Sequence, residues 1–435
     1  MMEYHRITDG RFADLASGLG GPAAVDDLAG ARHSKNLLLL GYVVEAWRGD
    51  EARQVTDVLI AADRHRPEAI AEVISDPFVG AWLAATARRI RGLESSDIPL
   101  DDDLAQLGAL AAAAAVRAGI DAETHTRTRG GVVTLPTIGT ARPGADGAAV
   151  VRVSGDRIAV TTGGVTVGSG DQDWQPVRLL TARRDDLAVA VPLEDANPYR
   201  GCYHAPPAER LGTSDVRRWQ ELFTAAWELL AALLPERATE LATGLRAVVP
   251  LVTEDVGEAR SGTARDAFGA VGTTLPRSGA DFVVTLVHEF QHSKLSALLD
   301  LMSLHVPGGP ERHFAPWRED PRPTGGLVQG VYAFLGVADT WRALRAVSGL
   351  EREATREFAF ARLQLDVGLR ALEQSRELTA RGREFVGHLR APVDRLMGEA
   401  VPAAVAAEAA ELLAQRRHAW GRYSRVVTSP RSSSR

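Results

Sequence analysis

The chain has 435 residues, 45% of them hydrophobic, with 50 Lys and Arg against 56 Asp and Glu and a formal net charge of −6. That content suffices for one large core or two ordinary ones, and the near-neutral balance gives no basis for a nucleic-acid partner, which needs a clustered basic surface. The single cysteine, Cys202, excludes an intrachain disulfide, a multi-cysteine zinc site and an iron–sulfur cluster held by several thiolates of this chain.

No uninterrupted apolar run approaches the roughly 20 residues of a bilayer span, and the start, Met1 to Arg6, lacks a signal-peptide hydrophobic region. A cytoplasmic protein without a membrane partner is expected. From Phe12 to Ala118 the texture is helical: Ser34-Lys35-Asn36 precedes the apolar run Leu37 to Trp47 in the manner of a helix start, and Leu104 to Ala118 is rich in alanine. Residues 1–118 are therefore read as an amino-terminal helical region. Between 119 and 200 short β-branched runs punctuated by glycine, at Gly131–Leu135, Ala149–Val153 and Ile158–Thr161, predict a β-rich subdomain.

The remainder, 201–425, reads as a metal-binding region followed by a disordered tail, 426–435. An amphipathic helix over Ser214 to Leu233 carries Trp219 and Trp227 as packing residues. Two apolar segments, Ala247–Val252 and Ala267–Val271, predict strands, one of which would be an edge able to pair with an extended peptide. Gly269 would permit close approach there, or merely mark a bulge.

His288-Glu289-Phe290-Gln291-His292 follows in the apolar run from Phe282 to Leu301. Residues at i and i+4 share a helix face, so both imidazoles can meet one metal ion, with Glu289 a candidate catalytic group. After a loop over Pro307 to Gly326 come helical patterns at Leu327–Val347, Glu351–Glu377, Ala380–Arg390 and Pro402–Arg417. The expected fold is α+β and mostly helical: a zincin-like metal helix with short strands, a small β-rich insertion and a carboxyl-terminal helical bundle.

The third ligand decides the chemistry. A catalytic zinc takes three protein ligands and an open position, whereas non-haem iron commonly takes two histidines and one further ligand. The extended zinc-peptidase form requires Gly and His where this chain has Leu295 and Leu298, and is excluded. The helix from Leu327 offers no acid before Asp339, and Lys294 intrudes just after His292. In the loop, Arg318 and Arg322 would suit bidentate binding of a dicarboxylate, or would simply pair with Glu319 and Asp320. Gln329 and Tyr332, three apart on the next helix, are placed to complete the metal's surroundings, Tyr332 being also a natural core residue.

The stretch Leu286 to Leu295, then Ala297-Leu298-Leu299-Asp300-Leu301, Ala315-Pro316-Trp317-Arg318, Asp320-Pro321-Arg322-Pro323 and Gln329-Gly330-Val331-Tyr332-Ala333 resembles the HExxH-motif domain family encoded near ribosomal-peptide maturation enzymes. Through Val249-Pro250-Leu251, Ala267–Val271 and, loosely, the amino-terminal helices, the resemblance covers most of the chain. It implies an Fe(II) and 2-oxoglutarate dependent enzyme that hydroxylates a β-carbon in a ribosomally synthesised precursor peptide. Some members are fused to radical SAM domains. This chain lacks the required cysteine cluster and resembles the stand-alone form, with a radical SAM maturase as a candidate partner in the pathway.

The resemblance implies His288 and His292 as iron ligands, with 2-oxoglutarate held by Arg318 or Arg322. Gln329 stands where some relatives carry histidine and becomes the third-ligand candidate, with His305, His313 and Asp320 as alternatives. Glu289 would then orient a histidine or a water. The rival expectations are a zinc peptidase in which Glu289 activates a metal-bound water, and a peptide-binding protein with a vestigial metal site.

Overall fold

The computed structural model describes residues 5–201, 203, 205–253 and 259–428. Met1 to Tyr4, Cys202 and residues 429–435, most of the expected tail, lie outside the described residues. Six helices come first: α1 (Asp9–Ala16), α2 (Gly21–Ala46), α3 (Asp50–His65), α4 (Pro67–Ile74), α5 (Pro77–Ile90) and α6 (Leu100–Ala118). Nine strands follow: β1 (Ala122–Arg127), β2 (Val133–Leu135), β3 (Gly139–Ala141), β4 (Ala148–Ser154), β5 (Arg157–Thr162), β6 (Val165–Gly168), β7 (Trp174–Pro176), β8 (Arg178–Arg184) and β9 (Leu187–Leu193). The last part comprises α7 (Thr213–Leu233), α8 (Pro235–Gly244), β10 (Ala247–Pro250), β11 (Ser261–Gly262), β12 (Ala270–Thr273), α9 (Gly279–Leu301), α10 (Thr324–Leu344), α11 (Glu351–Glu373), α12 (Ala380–Gly398) and α13 (Ala403–Thr428). The chain is thus α+β and mostly helical, and among the described residues no single helix is long and apolar enough to cross a membrane.

Helix α2 starts thirteen residues before the expected Ser34 signal, with Pro22 in its first turn. The polar trio mid-helix is explained by tertiary bonds: Ser34 Oγ lies 2.7 Å from His5 Nε2, Lys35 pairs with Asp266 and Asp300, and Asn36 Nδ2 donates to the Ile74 carbonyl at 3.1 Å.

Two large cores divide the chain differently from the composition. One runs from Leu40 through Trp174 and joins the second half of α2, α3 to α6 and the strands up to β7. The other takes α1 and the first half of α2, then β8, β9 and everything from α7 to α12. The β-rich stretch is correspondingly split. Strands β1-β4-β5-β6 and β2-β3-β7 form two antiparallel sheets, while β8 and β9 join a five-stranded sheet of order β11-β12-β10-β9-β8. Its three inner strands are parallel, and the outer two, β8 and β11, run antiparallel to their neighbours.

Neither predicted strand is the edge: β10 and β12 are interior, and the two-residue β11 borders the metal helix side. Gly269 precedes β12 with φ +78°, and its close approach is to the Gly244 carbonyl rather than to an open edge. On the helical side Trp219 and Phe223 of α7 meet Phe282 of α9 edge-on, at 5.8 and 5.9 Å, burying both predicted packing faces.

Where the cores meet, Asp76 caps α5 through its bonds to the Phe78 and Val79 amides (2.8 and 3.2 Å), and Glu194 caps the turn at Ala196 and Asn197. Both line a cleft of about 720 Å³. Burial, then the Glu194 charge, push the Asp76 carboxyl up to about 7, against the pull of the two amides. A carboxyl raised on folding contributes stability that is complete below its unfolded pKa and lost as pH rises through the folded one. Urea midpoints are therefore expected to fall between about pH 4 and pH 7 and then level off. Asp76→Asn keeps the capping oxygen and should flatten that decline; an unchanged slope in the variant would show that another group sets it.

Candidate metal centre

Ser278 starts α9 by accepting the Asp281 amide on its hydroxyl (3.1 Å), and the helix buries Phe282, Leu286, Val287, Phe290, Leu295 and Leu298. That apolar face fixes the helix rotation. It leaves His288, His292 and Ser296 half-buried along one stripe. The two imidazoles lie edge to face, 4.8 Å between centroids. Among the described residues, His288, Glu289 and His292 form the group whose ligand atoms approach within 4.8 Å of one another.

Hydrogen-bond partners settle how the rings are presented. His288 Nδ1 lies 3.1 Å from Glu289 Oε1, and His292 Nδ1 lies 3.0 Å from Gln329 Oε1. A carboxylate and an amide oxygen only accept, so each Nδ1 carries the proton and each Nε2 keeps its lone pair free. This is the arrangement by which neighbouring acceptors prepare histidines for a metal. Burial first, and the His288 charge next, push the His292 ring down to about 4, so it is neutral and ready to ligate near pH 7.

Glu289 is buried and fully engaged. Ser261 Oγ donates to Oε1 at 2.6 Å, and Thr263 Oγ1 shares its one proton between Oε2 at 2.7 Å and the Glu289 carbonyl at 2.8 Å. Burial raises its pKa, but the His288 charge and hydrogen bond, His292 and Ser261 outweigh it and hold the carboxyl at about 2. The short edge strand β11 and the residue after it therefore exist, locally, to bind this carboxylate. Sequence reasoning missed Ser261 and Thr263, because two strand residues give no periodicity.

Other predicted site residues sit differently. Gln329, expected as third ligand, has its oxygen on the Nδ1 side of His292 and its amide directed at Ser296 Oγ (3.3 Å), so it orients His292. Tyr332, expected as a catalytic group, is buried, and its hydroxyl donates to the Leu15 carbonyl at 2.8 Å. Three residues along a helix turn it some 60° from Gln329, so its ring lies by Lys294 on the far side of α9 and its hydroxyl reaches α1.

Arg318 and Arg322 both pair with Asp320, at 2.7 and 3.2 Å. Arg318 is exposed, whereas Arg322 lines a cavity of about 690 Å³ that also touches Gln329, Ser296, Arg265 and Arg312. None of the alternative third ligands joins the group of His288, Glu289 and His292, although His305 lines the same cavity. His305 packs on Gly325, His313 Nε2 meets Thr324 Oγ1 at 3.0 Å, and Asp320 holds the two arginines.

What the loop does bring to the centre is Trp317. The preceding Pro316 carbonyl is fixed by Gln364 Nε2 (3.1 Å) and Arg416 Nη1 (2.9 Å). The indole fills a slot over Gly330 of α10 and Gly368 of α11, where a Cβ would stand 2.3 and 2.8 Å from ring atoms. It stacks on Phe334, which meets His288 edge-on at 6.0 Å. Glycine inside a helix is disfavoured, and two such glycines were the sequence signal for this slot.

No protein-family model matches this chain, and no curated protein matches it.

Proposed function

We propose that the chain is a metal-dependent enzyme that modifies a ribosomally made precursor peptide, by Fe(II) and 2-oxoglutarate dependent hydroxylation of a side-chain β-carbon. His288 and His292 would hold the metal through Nε2, and imidazoles that direct Nδ1–H at an acceptor suit a borderline divalent ion. When bound, Fe(II) with 2-oxoglutarate would let O2 act as the oxidant, one oxygen atom entering the C–H bond and the other the succinate left when 2-oxoglutarate loses CO2.

The observation that carries this reading is the state of Glu289. A zinc hydrolase uses the glutamate of this motif to take a proton from a metal-bound water. Here both carboxylate oxygens accept hydroxyl donors, and one also holds His288. Glu289 thus serves as an orienting anion for the ligand set, which favours the reading in which no glutamate base is required. Gln329 does the corresponding work for His292, and Ser296 fixes Gln329 in turn.

Arg322 supports a place for a dicarboxylate, since it reaches the cavity that Gln329 and Ser296 also line. Three arginines, Arg265, Arg312 and Arg322, line the cavity against one carboxylate, Glu377, which accepts from the Glu311 amide and the Thr324 hydroxyl; just outside, Asp320 serves two arginines and Asp300 serves Arg265, Lys35 and Arg32. Arg312 bonds only to the carbonyls of Gly309 and Glu311 among the described residues. An anion entering this cavity therefore meets surplus positive charge.

The test is coexpression with a short precursor peptide sought in the genes neighbouring this one, followed by mass spectrometry. A mass gain of one oxygen that depends on Fe(II) and 2-oxoglutarate is the expected result. Cleaved peptide in place of oxygenated peptide would return the assignment to zinc hydrolysis.

A further inference from the structure

Trp317 and Phe334 are stacked with ring centroids 4.6 Å apart and 22° between planes; both are half-buried, and Phe334 meets half-buried His288 edge-on at 6.0 Å. An aromatic that only fills a core is closed over by its neighbours. Here Trp317 is seated over Gly330 and Gly368, Phe334 stacks on it, and both stay partly open, with Phe334 next to the His288 imidazole. Among the described residues, no cation stands over either ring. Arg318 follows Trp317 directly and Arg322 lies five residues beyond Trp317, so the surroundings disfavour a cationic guest.

We propose that Trp317 and Phe334 form the recognition surface for the substrate side chain that lies beside the metal, and that this side chain is apolar, aromatic by preference. The inference rests on His288 and His292 being metal ligands; it adds the chemical class of the peptide residue presented to them. A preorganised aromatic pair gains contact area and ring-to-ring geometry from such a side chain without ordering further groups.

The full chain loaded with Zn(II) permits a test that needs neither turnover nor the natural peptide, because hydroxamates chelate the ion directly. Calorimetric titration would compare acetohydroxamate with the hydroxamates of N-acetyl-phenylalanine, N-acetyl-aspartate and N-acetyl-lysine. The phenylalanine compound is expected to bind about tenfold more tightly than the charged ones. Trp317→Ala and Phe334→Ala should erase most of that preference while leaving metal content and acetohydroxamate affinity unchanged.

Phe334→Leu keeps an apolar filling and guards against simple misfolding; it should fold and still lose the aromatic preference. Equal binding of all side chains to the native protein, or a preference that survives both ring removals, overturns the proposal. A protein that takes up no ion overturns the metal reading and this inference together, whereas acetohydroxamate binding without side-chain discrimination overturns the inference alone.

Discussion

Glu240→Ala is expected to cost about 3–5 kcal/mol of stability, because it strands a buried ammonium group. Lys294 Nζ lies 2.7 Å from Glu240 Oε2, with the two side chains 0% and 2% exposed. The other Glu240 oxygen accepts the Gly21 amide at 3.0 Å, and Gly18, at φ +94°, turns its carbonyl to Gln291 Nε2 (3.0 Å), Arg237 Nη1 (3.3 Å) and Lys294 Nζ (3.5 Å). Burial pulls the Lys294 pKa down and the Glu240 charge opposes it. With the carboxylate gone, Lys294 must either stay charged in an apolar surround or lose its proton, and each route is costly.

The joint variant Lys294→Met with Glu240→Leu removes both charges and should recover most of the loss, since an apolar replacement for a buried pair is often neutral. Guanidinium unfolding of Lys294→Met, Glu240→Leu and the double variant measures the coupling. A loss below about 1 kcal/mol in Glu240→Ala would mean that the turn between α1 and α2 is held by its other bonds. The residue that counted against a zinc-peptidase helix in the sequence thus acquires a structural reason: Lys294 ties the metal helix to the amino-terminal turn, on the face away from the histidines.

The metal helix was legible because its signal is local. Two imidazoles at i and i+4 inside an apolar run need no tertiary knowledge to be placed on one face. Gln329 was found as a neighbour of that face, but its role was not, since spacing along a helix does not say which ring nitrogen an amide will reach. Tyr332 illustrates the same limit, one step of helix rotation turning a candidate catalytic hydroxyl into a partner for the Leu15 carbonyl. Ser34 to Asn36 misled for the opposite reason, as polar residues chosen for contacts with His5, Asp266 and Ile74 look like a helix cap when read locally.

The division of the chain was hidden by long-range pairing. Strands β8 and β9 resemble the β-rich stretch in composition, yet Val248 of β10 pairs with Leu193 of β9 and draws them into the other core. The edge strand β11 spans two residues, too few for any pattern, although its Ser261 decides what Glu289 does.

His292→Ala is expected to abolish stoichiometric binding of Fe(II) or Zn(II), and His288→Ala to do the same, because each removes one of two imidazole donors and no other described His, Cys, Asp or Glu joins the group. Gln329→Leu separates ligation from orientation. If Gln329 only holds the Nδ1 proton of His292, its loss should weaken metal binding about 10–100-fold and leave the stoichiometry intact, as is usual for groups behind a ligand. Glu289→Gln should behave likewise, since an amide can replace part of the Ser261 and Thr263 pairing but not the charge beside His288. Competition against a chromophoric chelator under anaerobic conditions reads all four variants on one scale. Complete loss of the ion in Gln329→Leu, equal to that in His292→Ala, would make Gln329 a ligand after all and require its oxygen to leave Nδ1 when metal enters. Partial loss fixes the order of influence instead: the histidines hold the ion, Glu289 and Gln329 set the tautomers that let them do so, and Ser261, Thr263 and Ser296 hold those two in place.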